Sequence, residues 1–244
     1  MEMKLSALLF LVFGLWAVSG ANNVMVSHGV HPVVFGENTS LCGTCNTFIS
    51  NGINQLLNAI LQGGVIGGCS GLCSKAFPTQ PKEQGVCKLV CDAAGEMAFV
   101  KLVQKYSGDL DPIYFCELAK LCPVHDGGSA RIDSLTVHPS SGPTGTTFEI
   151  DATFTVLNQT STGELVVQIT PEHGDSFGTS LLDEGYAPGQ YSAKFSLDTH
   201  PSEQEAFQPG NYVVNFIGCD GECGSKLPHS AVLFQGSSNF TISN

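Results

Sequence analysis

Cys42-Gly43-Thr44-Cys45 opens, and Cys116-Glu117-Leu118-Ala119-Lys120-Leu121-Cys122 closes, a near-symmetric ladder of eight cysteines. Two further close pairs lie between them, Cys69 with Cys73 and Cys87 with Cys91. Each inner pair is spaced i, i+4, so on a helix both thiols project from one face, a turn apart. Two such helices packed antiparallel would bring Cys73 opposite Cys87 and Cys69 opposite Cys91. The spacing predicts a small helical domain stapled at its base and along a hairpin. The rest of the chain is read outward from this ladder.

Stapling needs an oxidising compartment, and the N-terminus predicts one. Lys4 precedes an apolar run from Leu5 to Val18, followed by Ser19, Gly20 and Ala21. This is the pattern of a secretory signal peptide over residues 1–20, and its apolar run is too short to anchor the chain in a bilayer. The expectation is a secreted, extracellular protein free to form disulfides. Sequons at Asn38, Asn158 and Asn239 agree with export and predict a glycoprotein.

Composition divides the remainder in two. Residues 41–125 carry six lysines and six acids, whereas residues 126–244 carry three basic residues (Arg131, Lys194, Lys226) against fourteen acids. Nearly all of the net charge of −12 therefore lies in the second half. An acidic exported half argues against nucleic acid or anionic membrane surfaces as partners and suits solubility or a basic partner. Residues 21–39 are read as an N-terminal extension, 40–125 as the helical domain, 126–129 (Asp-Gly-Gly-Ser) as the linker and 130–244 as an acidic β domain.

The apolar positions Cys45, Phe48, Ile49, Ile53, Leu56, Leu57, Ile60 and Leu61 recur at helical spacing, and Val86 to Leu102 carries a second long stripe. A shorter helix is expected around Cys69 to Phe77. Asp111-Pro112 predicts an N-cap with proline at the first helical position, and Pro123 stops the last helix. Four or five helices follow. Beyond the linker the period changes. The segments 132–137, 147–156, 164–170, 190–197, 212–217 and 231–234, with a last run at 240–242, are β-branched or aromatic and separated by Gly, Pro, Asn and Asp. Phe148, Ile150, Ala152, Phe154 and Val156 alternate with polar residues as a half-buried strand does. Six or seven such strands predict an antiparallel β-sandwich of immunoglobulin-like type. The fold class expected is α + β in two domains.

Cys42-x2-Cys45, the central cysteine hairpin and Asp111-Pro-x3-Cys116-x5-Cys122 resemble the saposin-like (saposin B-type) family. The resemblance implies bridges Cys42–Cys122 and Cys45–Cys116. With four central cysteines here it implies two central bridges, Cys73–Cys87 and Cys69–Cys91, although spacing alone leaves 105 pairings of eight cysteines open. Thiols at helical spacing with no histidine among them favour disulfides over zinc. The outermost bridge would be worth roughly 4 kcal/mol in the chain-entropy model, much for a domain of this size. Cys219 and Cys223 are expected to join across a local turn, with no metal bound.

Taken together, the leader, one saposin-type domain and an acidic β-rich tail containing Gly218-Cys-Asp-Gly-Glu-Cys223 resemble the countin family of social amoebae. That resemblance implies a subunit of counting factor, the secreted complex by which aggregating cells limit group size. Its partners would be other subunits of the complex, with no cofactor. The saposin resemblance implies a second possibility, a lipid-binding or membrane-interacting protein (a lipid carrier or hydrolase activator). Its apolar lining would come from Phe48, Ile53, Leu56, Leu57, Ile60, Val65, Ile66, Phe99, Val100 and Val103. The neutral charge of the helical part, with His125 only at its edge, argues against pore formation. An enzyme is not expected. Gly174-Asp175-Ser176-Phe177 resembles the nucleophile block of GDSL esterases, but Asp198-Thr199-His200 lacks that family's acid–histidine spacing, and the strand pattern cannot supply its fold. This block reads as a hairpin loop. His28-Gly-Val-His31 reads as flexible tail.

Overall fold

The computed structural model describes residues 30–32, 40–63, 67–106, 111–202 and 206–244. Residues 1–20, read above as a signal peptide, and Asn38, Val65 and Ile66 lie outside the described residues. The chain is α + β, and among the described residues five helices are followed by eight strands and preceded by one short strand.

The helices are α1 (Leu41–Gly63), α2 (Gly68–Ala76), α3 (Pro81–Ala94), α4 (Glu96–Tyr106) and α5 (Pro112–Leu118). Local chemistry sets their ends. Pro81 starts α3, where its missing N–H leaves no helical bond unmade. Gly95, at φ 82°, ends it and donates to Cys91 O at 2.8 Å. The single stripe from Val86 to Leu102 is thus two helices, α3 and α4, because glycine takes the positive φ that breaks it. Asp111 caps α5, its carboxylate accepting from Tyr114 N at 2.8 Å.

The disulfides join Cys42 to Cys122, Cys45 to Cys116, Cys69 to Cys91, Cys73 to Cys87 and Cys219 to Cys223, and no described cysteine is free. The first two tie the start of α1 to α5 and to the segment that follows it, and the next two tie α2 to α3. Around them Ile49, Leu56, Val90, Phe99, Val103 and Phe115 form one buried core. Phe99 meets Phe115 edge to face at 5.7 Å, and Phe48 meets Phe77 at 5.4 Å.

The strands are β1 (Val30–Pro32), β2 (Ser129–His138), β3 (Ser141–Pro143), β4 (Thr147–Asn158), β5 (Gly163–Pro171), β6 (Phe177–Asp183), β7 (Gly189–Asp198), β8 (Gly210–Asp220) and β9 (Ala231–Ser243). They form two sheets, ordered β1-β7-β4-β2 and β3-β9-β8-β5-β6. Both contribute to one core: Phe148, Ile150, Phe154 and Phe195 from the first, Val167, Tyr212, Phe216 and Phe240 from the second. Phe148 lies 4.2 Å from Phe240, and Phe154 lies 5.0 Å from Phe234, ring centre to ring centre.

Three expectations are corrected. The pairing is not wholly antiparallel, because β3 runs parallel to β9, Ser141 opposite Thr241. The chain leaves the first sheet at the end of β2 and crosses to the second, where it lies alongside β9 in the same direction. The stretch read as flexible tail contributes β1, whose Val30–Pro32 pairs antiparallel with Leu197–Phe195 of β7, using backbone groups that no apolar pattern announces. The runs 231–234 and 240–242 are one strand, β9, held across its polar middle by the ladder to β8.

Candidate functional site: the joint between the halves

The segment from Cys122 to Asp126 leads from the helical half to the β half, and a run of buried hydroxyls receives it. Thr160, Ser161 and Thr162 are all buried between β4 and β5. Thr162 donates to Pro123 O twice, from N at 3.1 Å and from Oγ1 at 2.9 Å. His125 N donates to Ser161 Oγ at 2.7 Å, and Ser161 N donates to Asp220 Oδ1 at 2.8 Å. Thr160 Oγ1 accepts from Tyr186 N at 2.7 Å. Ser40, at the start of α1, donates to the Glu184 carboxylate. These bonds satisfy backbone groups that burial would otherwise strand.

Close backbone approach makes the seam possible. A β-carbon on Gly163 would sit 1.9 Å from Cys219 O, so only glycine fits where β5 meets the end of β8. The Cys219–Cys223 bridge closes the turn leaving β8, and Cys223 N donates to Glu164 Oε1 at 2.7 Å. On the far side, His229 Nδ1 pairs with Asp126 Oδ1 at 2.7 Å, and its ring lies 6.5 Å from that of Tyr114 on α5.

The electrostatics of the joint are acidic. Burial pushes Glu117 up to about 7, with Asp111, Asp220 and Asp126 adding to the rise and His229 opposing it. Burial likewise raises Asp220 to about 6 and Asp183 to about 7. It also raises Glu164, against the bond from Cys223 N. The hydrogen bond to Asp126 raises His229. A cavity of about 280 Å³ lies along the same seam, lined by Asn46, Ser50, Ile113, Glu164, Ser180 and Glu222 among others. No group of three or more His, Cys, Asp or Glu side chains is arranged to hold a metal ion among the described residues.

The apolar residues singled out on the helices lie inward. Phe48, Ile53, Leu56, Ile60, Phe99, Val100 and Val103 belong to the bridged core, with Leu57 packed at its margin. Of these, Phe48 also lines a groove of about 760 Å³, together with Gly52, Phe77, Lys82, Glu83 and Val86. No helix among the described residues is long and apolar enough to cross a membrane. Asn158 and Asn239 are both exposed, at the end of β4 and within β9. Ser176 lies in the loop between β5 and β6, its hydroxyl 2.9 Å from that of Thr170. Two of the three cations of the β half are already paired, Arg131 with Asp133 at 3.0 Å and Lys194 with Asp151 at 2.8 Å.

Sequence reasoning missed the joint. Its signal was the hydroxyl run Thr160-Ser161-Thr162 followed by Gly163, overlooked because Thr160 reads first as part of a sequon.

The pattern of the Countin N-terminal domain matches residues 40–120, and that of the Countin C-terminal domain matches residues 130–244. Countin-1 of Dictyostelium discoideum is 40% identical over 202 residues, covering 83% of this chain and 77% of that protein. Countin-3 of the same organism is 39% identical over 201 residues, covering 82% of this chain and 89% of that protein. A Paenibacillus cycloisomaltooligosaccharide glucanotransferase shares 13% identity at a TM-score of 0.33, covering 48% of this chain and 14% of that one. Both halves match in order, and relatives near 40% identity span most of the length, so the chain belongs to the countin family.

Proposed function

We propose that this chain is a secreted, non-enzymatic subunit of a counting-factor-type complex that regulates the size of cell groups during development. The observation that carries the reading is the match to countins across both halves of the chain. In this reading the helical half is a saposin-type bundle and the β half an immunoglobulin-like sandwich, glycosylated at Asn158 and Asn239. Other subunits are the partners, and they dock on the acidic β half. Its cations Arg131 and Lys194 are held by its own acids, so the remaining carboxylates suit a basic partner surface. Lipid carriage is the weaker reading, since the apolar helix faces are spent on the bridged core and would have to open.

The test is the state of the protein in medium conditioned by developing cells. Tagged, full-length protein is expected to elute with other secreted proteins at a size well above that of a single chain. Elution as a monomer without companions would remove the subunit role.

A further inference from the structure

The joint contains a carboxylate with nothing to hold it. Glu117, on α5, is 6% exposed, and neither of its carboxylate oxygens has a hydrogen-bond partner. An ionised carboxylate in such a place is costly, so the group takes a proton instead. The groups that face it come from every element around it. Asp111 stands at the start of α5, Asp126 in the linker, and Asp220 and His229 on the β8 and β9 side. Among the described groups around it His229 alone can answer with positive charge, and Asp126 already engages it. Asp220 accepts from Ser161 N and feels His125. Farther along the seam lie Asp183, accepting from Gly185 N, and Glu164, accepting from Cys223 N. Among the described residues, the groups that act most on these acids are other acids, the histidines His125 and His229, and hydrogen-bond donors.

We propose that the joint is an acid-closed clamp: a protonated Glu117 lets α5 and the linker pack on the β half, and its ionisation loosens them. The proton leaves to solvent, and the bonds that give way are those of Pro123 and His125 to Thr162 and Ser161. The closed joint holds a proton on Glu117 that the open joint releases between the ordinary carboxylate range and about 7. Raising the pH through that window therefore favours opening. His229 acts in the same direction. Its pKa is raised in the closed joint, so its contribution is present below its ordinary value and fades as the pH rises. Opening uncovers Ile113, Tyr114 and the 160–162 run, all buried in the closed form.

The experiment is small-angle scattering of the full chain, disulfides intact, from about pH 5 to about pH 8.5, with circular dichroism alongside. The radius of gyration is expected to rise as the pH climbs towards about 7 and to level off above it, while secondary structure stays unchanged. Glu117→Gln is expected to keep the small radius throughout. If that variant is not secreted, Glu117→Met supplies an uncharged side chain of similar length for the same comparison. A radius independent of pH in the unaltered protein, or the same rise with Glu117 replaced, overturns the proposal.

Discussion

Removing the outermost bridge should cost much less than its loop length suggests. Taken alone, Cys42–Cys122 closes 80 residues, and loop-closure entropy puts such a bridge at roughly 4.5 kcal/mol. The second bridge, Cys45–Cys116, already closes 71 of those residues. With it in place, losing the outer one frees only the 9 residues by which the separations differ, worth about 2.6 kcal/mol. The second removal then releases the long loop and costs about 4.4–4.5 kcal/mol, depending on which bridge goes first. The nested pair should thus show a coupling of about 2 kcal/mol in a double-mutant cycle. The variants are Cys42→Ala/Cys122→Ala, Cys45→Ala/Cys116→Ala and their combination. Urea unfolding is followed by the helical far-ultraviolet signal, with the slope fitted for each variant, because a denatured chain released from a bridge exposes more surface. A cost near 4.5 kcal/mol for each single removal, summing without coupling, would refute the reasoning.

Other expectations are local. Gly163→Ala places a methyl 1.9 Å from Cys219 O, so the end of β8 must move, and a loss of about 3 kcal/mol in the β half is expected by denaturant midpoint. Asp111→Ala removes the cap on α5 and should cost about 1 kcal/mol, read on the helical transition. Because the Glu117 pKa is raised from 4.5 to about 7, stability should be greatest below 4.5 and fall through that window as the pH rises. The loss is about 2–3 kcal/mol in all, and Glu117→Gln should flatten the profile in calorimetry across those pH values.

How much of this was legible in the sequence varied with the kind of force involved. The helical stripe of α1 and the alternation Phe148 to Val156 announced themselves because burial of one face imposes its period on the residues. The helix break at Gly95 was less visible, since the apolar stripe continues across it and only the backbone angle changes. β6 escaped notice because Phe177-Gly-Thr-Ser-Leu-Leu-Asp has no clear alternation and is a strand by its ladder to β5. β9 looked like two runs for the same reason. Its middle, Gln235-Gly-Ser-Ser-Asn239, is polar, and backbone bonds to β8 carry it. The joint was illegible in a deeper sense. Glu117 and His229 meet only after both halves have folded, and neither residue has a local pattern that points to the other.

The proposal that this chain acts on the size of cell groups is tested most directly by depletion and add-back. Medium conditioned by developing social amoebae would be depleted of the protein, group size scored, and purified full-length protein restored. The account predicts a change in group size on depletion that the added protein reverses. Group size indifferent to both steps would contradict it.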